Sequence, residues 1–154
     1  MIDHKVLLSK AMKYCAYQER NTLEVKNKLS NWGATHSQIE SILNQLKEEK
    51  FIDDLRYAEV YTRGKFRSNK WGFRKIELGL KQKQIAQELI NEAQKQIHHE
   101  EYMDTLRYIL HKKVVKAETE YQRKQKLATY ALNKGFESHL IWQILGDIQG
   151  FEDL

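Results

Sequence analysis

Apolar side chains recur at three- and four-residue spacing along nearly the whole chain, and no window shows the period-two alternation of a half-buried strand. Ala11, Tyr14 and Cys15 form the first stripe, which the pattern ends near Arg20-Asn21. Asn21 and Glu24 have capping-box spacing and open a second helix that turns Val25 and Leu29 inward. Trp32-Gly33 reads as a turn, because glycine just past a helix accepts the left-handed backbone that ends it. Thr35 and Gln38 repeat the capping box and open a third helix carrying Ile39, Ile42, Leu43 and Leu46.

The pattern then restarts. Asp53-Asp54 suits a helix N-terminus, where carboxylates complement the macrodipole, and the helix that follows carries Tyr57, Ala58, Tyr61 and Phe66. After Trp71-Gly72 come a short helix with Ile76 and Leu80 and another with Leu89, Ile90, Ala93 and Ile97. A third group offers Tyr102, Leu106, Ile109 and Leu110, then Tyr121, Leu127 and Ala131, then Ile141, Ile144 and Ile148. Ile39, Ile90 and Ile141 are 51 residues apart, as are Leu29, Leu80 and Ala131, and Gly33, Gln84 and Gly135. Three registers at one offset predict a three-helix module built three times, over residues 1–52, 53–97 and 98–154. Each helix has few anchors and needs its neighbours for a core.

Composition sharpens this. Among 154 residues there is no proline and only seven glycines, so little interrupts a helix and the expected class is all-α. No apolar run approaches the ~18 residues of a membrane span, and Val6-Leu7-Leu8 is too short for a signal-peptide core. The single cysteine, Cys15, can form no internal disulfide, and its place on an apolar stripe suits a buried small hydrophobe. A soluble chain of the cytoplasm, with no membrane attachment, is expected.

Charge is distributed in blocks. The net +5 conceals a neutral stretch over residues 1–60, +7 over 61–83, −4 over 84–106, +5 over 107–126 and −3 thereafter. The basic blocks hold Arg63, Lys65, Arg67, Lys70, Arg74 and Lys75, and then Lys112, Lys113, Lys116, Arg123, Lys124 and Lys126. Each spans the end of one module's first helix and the start of its second. Equivalent faces would make one cationic stripe suited to nucleic-acid phosphate or an acidic protein groove; the alternative is a solvated lysine-rich surface. Tyr61, Phe66, Trp71 and Phe73 interleave with the first block, and could stack on unpaired bases, although packing between helices is the commoner use of such residues. Trp32 and Trp142 read as structural on the same grounds.

Catalytic constellations do not assemble. His98-His99-Glu100-Glu101 resembles the start of a zinc-protease helix, but Met103 stands where the second histidine is required. Asp53-Asp54 lacks further carboxylates nearby to hold a metal, and helix capping accounts for it. Gly64-Lys65 lacks the other residues of a phosphate-binding loop. No catalytic residue, metal or cofactor is expected, and the chain does not read as an enzyme.

Phe51-Ile52-Asp53-Asp54-Leu55-Arg56-Tyr57-Ala58-Glu59-Val60-Tyr61, followed by Trp71-Gly72-Phe73-Arg74-Lys75-Ile76, resembles the signature of the RecX regulatory proteins of bacteria. Asp53, Asp54, Arg56, Tyr57, Ala58, Trp71 and Gly72 carry the likeness most specifically, and Arg20 to Leu29 and Lys134-Gly135-Phe136 fit it. It runs from about Lys10 to Ile148. Two departures stand out: Gln84 replaces a usual glycine, which weakens the expected turn, and Gly79 should cost its helix ~1 kcal/mol relative to alanine. The resemblance implies three tandem three-helix repeats in an elongated, curved array that modulates RecA recombinase. Family members are understood to lie along the groove of the RecA–DNA filament, bridging protomers and restraining ATPase, strand-exchange and co-protease activities in DNA repair, recombination and the SOS response. On that reading a monomer binds RecA filaments and single- or double-stranded DNA through the twelve basic residues. A stand-alone helical DNA-binding module and a scaffold that binds only another protein are the competing readings.

Overall fold

The computed structural model describes residues 2–147, in which nine α-helices and no strand are found. They are α1 (His4–Tyr17), α2 (Thr22–Asn31), α3 (His36–Glu48), α4 (Asp54–Asn69), α5 (Phe73–Gln82), α6 (Gln87–Gln94), α7 (His99–Lys112), α8 (Glu120–Asn133) and α9 (Ser138–Asp147). The second helices end at Asn31, Gln82 and Asn133 and the third begin at His36, Gln87 and Ser138, so every step is 51 residues. The chain is therefore all-α and repetitive. Ile148 of the expected third-module core lies outside the described residues.

The turn between each second and third helix is the same device three times over. Gly33 (φ 89°), Gln84 (φ 60°) and Gly135 (φ 100°) take the left-handed conformation. Around each, paired backbone bonds close the preceding helix: Gly33 N–H to Ser30 O and Ala34 N–H to Leu29 O, Gln84 to Lys81 and Ile85 to Leu80, Gly135 to Leu132 and Phe136 to Ala131, all 2.9–3.1 Å. This is the Schellman pattern, and the residue that follows each left-handed position tucks inward: Ile85 and Phe136 are buried and Ala34 half-buried. Gln84 does not abolish its turn. A non-glycine residue there costs about 1 kcal/mol, which two hydrogen bonds and a buried isoleucine offset.

Helix starts follow the expected caps. Asn21 accepts from Glu24 N–H at 2.8 Å and Thr35 from Gln38 N–H at 3.2 Å, with Glu24 and Gln38 reaching back to complete both boxes. Asp53 accepts from Arg56 N–H at 3.0 Å and caps α4.

By packing, the helices divide into two compact units. The first takes the residues through Val60 together with Leu80–Ala93; the second takes Tyr61–Gly79 and the described residues from Gln94 onward. In the first, Leu7, Ala11, Val25, Leu29, Ile42 and Leu46 are fully enclosed, with Tyr14, Cys15 and Trp32 packed against them. In the second, Phe66, Tyr102, Leu106, Leu110, Leu127, Ala131, Phe136 and Ile141 form the interior. Each such leucine or isoleucine contributes about 1.5–3 kcal/mol by leaving water.

Four expectations need correction. The first helix stops at Tyr17, where Gln18 goes extended; Arg20 lies beyond it and donates from Nε to the Tyr14 carbonyl at 3.1 Å, closing the open helix end. Ile97 is buried but falls after α6 has ended at Gln94. Tyr121 is 73% exposed; it stands in the first turn of α8, ahead of the buried residues of that helix, which begin at Leu127. Gly79 is no simple weakness in α5, since a Cβ there would run into the Tyr61 hydroxyl.

Candidate functional site

In the first unit the signature block acts on structure. Asp54, the first residue of α4, accepts from both the backbone N–H (2.9 Å) and the hydroxyl (3.0 Å) of Thr22, so one carboxylate serves the N-terminus of α2. Arg56 donates to Glu19 Oε1 at 2.7 Å and to the carbonyls of Lys50 (3.1 Å) and Phe51 (3.4 Å), just past α3. Ala58 is fully buried and Tyr57 half-buried. These residues tie the start of α4 to α2 and to the end of α3.

In the second unit Trp71-Gly72 does comparable work. Gly72 N–H donates to Lys134 O at 2.7 Å and Arg74 N–H to Gly135 O at 3.0 Å, so the start of α5 meets the end of α8 backbone to backbone. Both positions need glycine here. A Cβ on Gly72 would sit 2.5 Å from Gly135 O and Phe136 N, and one on Gly135 would sit 2.5 Å from Lys75 Cβ. Beneath this contact Tyr102 stacks on Phe73 (4.2 Å between centroids) and Phe66 (5.7 Å) and leans on Phe136 (5.0 Å). Its hydroxyl accepts from Phe73 N–H at 2.9 Å and donates to Glu137. Burial and the bond to Glu137 push this phenol well above its usual range. Phe66 is thus buried and unavailable to a base, while half-buried Phe73 gives one face to Tyr102.

The same architecture gathers cations. Lys65 and Lys75 place their ammonium groups 4.9 and 4.5 Å from the Trp71 ring centre. Lys70 and Lys112 lie 5.8 and 5.9 Å from that of Tyr108, which is half exposed. Lys70 comes from the first basic block and Lys112 from the second, so the two blocks meet at Tyr108. Cation–π attraction of ~0.5–1 kcal/mol apiece holds these flexible chains near one surface. Lys134, named in sequence only as part of a turn, joins them: its ammonium donates to Asn69 O at 2.7 Å and feels the charges of Lys75 and Lys70. Burial first, and those two lysines next, lower its pKa.

The other basic candidates are placed differently. Arg63 donates to Gln96, and Arg67 pairs with Glu101 at 3.2 Å, so both turn toward the start of α7. Arg74 is exposed. Lys113 lies 4.7 Å from the Tyr130 ring centre, and Lys126 donates to the Lys116 carbonyl, at the connection between α7 and α8. Arg123 and Lys124 are half-buried in the first half of α8 with contacts of their own. Lys81 and Lys83, at the end of the first block, belong to the other unit. An open groove of about 510 Å3 beside Lys70 and Tyr108 is lined also by Glu101, Asp104 and Thr105. No described helix is long and apolar enough to cross a membrane.

What fold and site define is an all-α repeat protein whose second unit carries a cationic surface set on aromatic rings. Residues 53–93 match the family model for the second three-helix domain of RecX, and residues 100–145 that for the third. A regulatory protein RecX from Neisseria meningitidis serogroup A is 30% identical over 92% of this chain and 90% of its own, and one from Clostridium acetobutylicum is 32% identical over 91% and 67%. Among solved structures, a regulatory protein RecX superposes with TM-score 0.84 at 26% identity, over 94% of this chain and 73% of its own. RecX from Lactobacillus salivarius gives the same score at 23% identity, over 94% and 95%, a likeness of fold. The chain belongs to the RecX family, whose members bear the name of regulatory proteins.

Proposed function

We propose that this chain acts in the cytoplasm as a regulator of RecA, binding the RecA–DNA filament and lowering its ATPase and recombinase activity without making or breaking a bond itself. Membership of a family of regulatory proteins supports the class of role. The observation that carries the physical reading is the meeting of the two basic blocks at Tyr108, with Lys70 and Lys112 each about 6 Å from one ring.

Lysines held in this way suit a polyanion. Ammonium groups on flexible stems normally lose side-chain entropy when a phosphate fixes them; rings that already restrain Lys65, Lys75, Lys70 and Lys112 reduce that loss. Each phosphate neutralised releases condensed counterions, so affinity should fall steeply with salt. Occupancy of the filament groove then hinders the protomer movements that hydrolysis and strand exchange require. The modules over residues 1–52, 53–97 and 98–154 would divide the contacts with RecA and with DNA between them.

The test is single-stranded-DNA-dependent ATP hydrolysis by the cognate RecA, with filament co-sedimentation alongside. Slower hydrolysis at or below equimolar protein, together with co-sedimentation, is the expected result. Unchanged hydrolysis and no co-sedimentation would refute the proposal, and tight sequence-dependent duplex binding without RecA would point to a stand-alone DNA-binding protein.

A further inference from the structure

We infer that Lys70, Lys75 and Lys134 together form a clamp for a single phosphate group of a nucleic-acid backbone. This deepens the cationic surface just described and rests on that reading.

Three elements converge there for reasons independent of charge. The Gly72–Gly135 contact sets the first turn of α5, which carries Lys75, against the end of α8, which carries Lys134. The Lys134 ammonium donates to Asn69 O, the last carbonyl of α4, at 2.7 Å, and the Lys70 ammonium donates to Arg67 O, in the same helix turn, at 2.9 Å. Lys70 itself stands just past α4 with a left-handed backbone (φ 59°), and Lys75 is held over Trp71. Two of the three ammonium groups are thus hooked to the C-terminal turn of one helix, whose partial negative charge suits them. Each spends one of its three N–H donors on a carbonyl, which leaves two for a ligand.

Electrostatics then call for an anion. The charges that act on Lys134 are those of Lys75 and Lys70, both positive, and together with burial they depress its pKa. Like charges gathered in this way favour an anion able to accept from several donors at once, and a phosphodiester has two unesterified oxygens for the purpose. The α5 N-terminus is not the anion site: the N–H groups of Gly72, Phe73 and Arg74 are already taken by Lys134 O, the Tyr102 hydroxyl and Gly135 O. The lysines must do the holding. A carboxylate from an acidic protein segment is the rival ligand: it carries the same single charge, but on two coplanar oxygens rather than at two corners of a tetrahedron.

The experiment is fluorescence anisotropy of a labelled oligothymidylate titrated with the full chain alone, over a series of salt concentrations. Wild type is compared with K134Q, K70Q, K75Q and K134R, and with K95Q, a lysine at an exposed position elsewhere in the same unit. Circular dichroism melts establish that each variant is folded. Each glutamine variant of the clamp should weaken binding about three- to tenfold and lower the salt slope by about 0.7, the counterion release of one single-stranded phosphate contact. K70Q/K134Q should lose less than the product of the single losses, because both lysines hold one phosphate. K134R should retain most of the slope. Equal losses in K95Q, or an unchanged slope in folded K134Q and K75Q, would overturn the clamp while leaving the RecA reading to its own ATPase test. Polyglutamate displacing the oligonucleotide as well as unlabelled oligothymidylate would overturn the choice of phosphate.

Discussion

Substituting alanine for Gly72 tests how the second unit is joined. The new Cβ would overlap the backbone of Gly135 and Phe136, with Gly135 O and Phe136 N only 2.5 Å away, and no rotamer can relieve a clash of backbone with Cβ. The start of α5 must therefore move off the end of α8. That movement breaks or stretches the bonds from Gly72 N–H to Lys134 O and from Arg74 N–H to Gly135 O, worth ~1 kcal/mol each. It also disturbs the 4.2 Å Phe73–Tyr102 stack, worth a further ~0.5–1.5 kcal/mol. With about 1 kcal/mol of residual strain from overpacking, the loss comes to about 3–5 kcal/mol. For a chain of this size that lowers the melting temperature by roughly 10 °C. Gly64 supplies the comparison: it is exposed within α4, and its Cβ would meet nothing within 4 Å. G64A should gain ~0.5–1 kcal/mol from helix propensity and melt slightly higher. Calorimetric or circular dichroism melts of both variants decide the matter. A G72A protein melting within about 2 °C of wild type, or a G64A protein falling as far as G72A, would refute the reasoning.

Three further outcomes follow from the same contacts. D54A should lose about 1–3 kcal/mol in urea unfolding, because Thr22 loses both hydrogen bonds at the start of α2, whereas D54N should lose less by keeping an acceptor. R56K should cost ~1 kcal/mol or more by the same measurement, since an ammonium cannot serve Glu19 and the Lys50 and Phe51 carbonyls together. Tyr102 predicts an alkaline limit: its folded pKa is raised above the ordinary value of 10.0, so the folded state holds a proton that the unfolded chain releases. Its stabilisation is complete below pH 10 and declines as pH rises beyond it, by up to ~1.4 kcal/mol per unit. Y102F should be less stable at neutral pH yet lose stability less steeply above pH 10.

The helical repeat was legible in sequence because its signals are local. Apolar spacing, two capping boxes and the turns at Gly33 and Gly135 each involve residues within a few positions of one another, and the 51-residue register follows from them. Gln84 misled because propensity is a weak prior: Ile85 packing and two turn hydrogen bonds hold a left-handed glutamine. Gly79 read as a defect because its partner, Tyr61, lies eighteen residues away on another helix. Still longer separations conceal the roles of Asp54 and Arg56, which look like a local cap and a family mark yet reach Thr22 and Glu19, 32 and 37 residues away. At the cationic surface, Lys65, Lys70, Lys75 and Lys112 stand out in sequence because they lie in basic blocks, and Lys134 does not. It stands alone in an acidic stretch, and only the Gly72–Gly135 contact carries it to Lys70 and Lys75. Arg63 and Arg67 lie in the same basic block as Lys65, Lys70 and Lys75, and their side chains turn to Gln96 and Glu101.

The most direct measurement compares wild type with a variant carrying K65Q, K70Q, K75Q and K112Q in RecA-dependent ATP hydrolysis on single-stranded DNA. If lysines restrained by Trp71 and Tyr108 grip the filament, wild type slows hydrolysis strongly in low salt and weakly in high salt, and the folded variant slows it little at either. A variant that inhibits as strongly as wild type, with the same dependence on salt, would contradict the account.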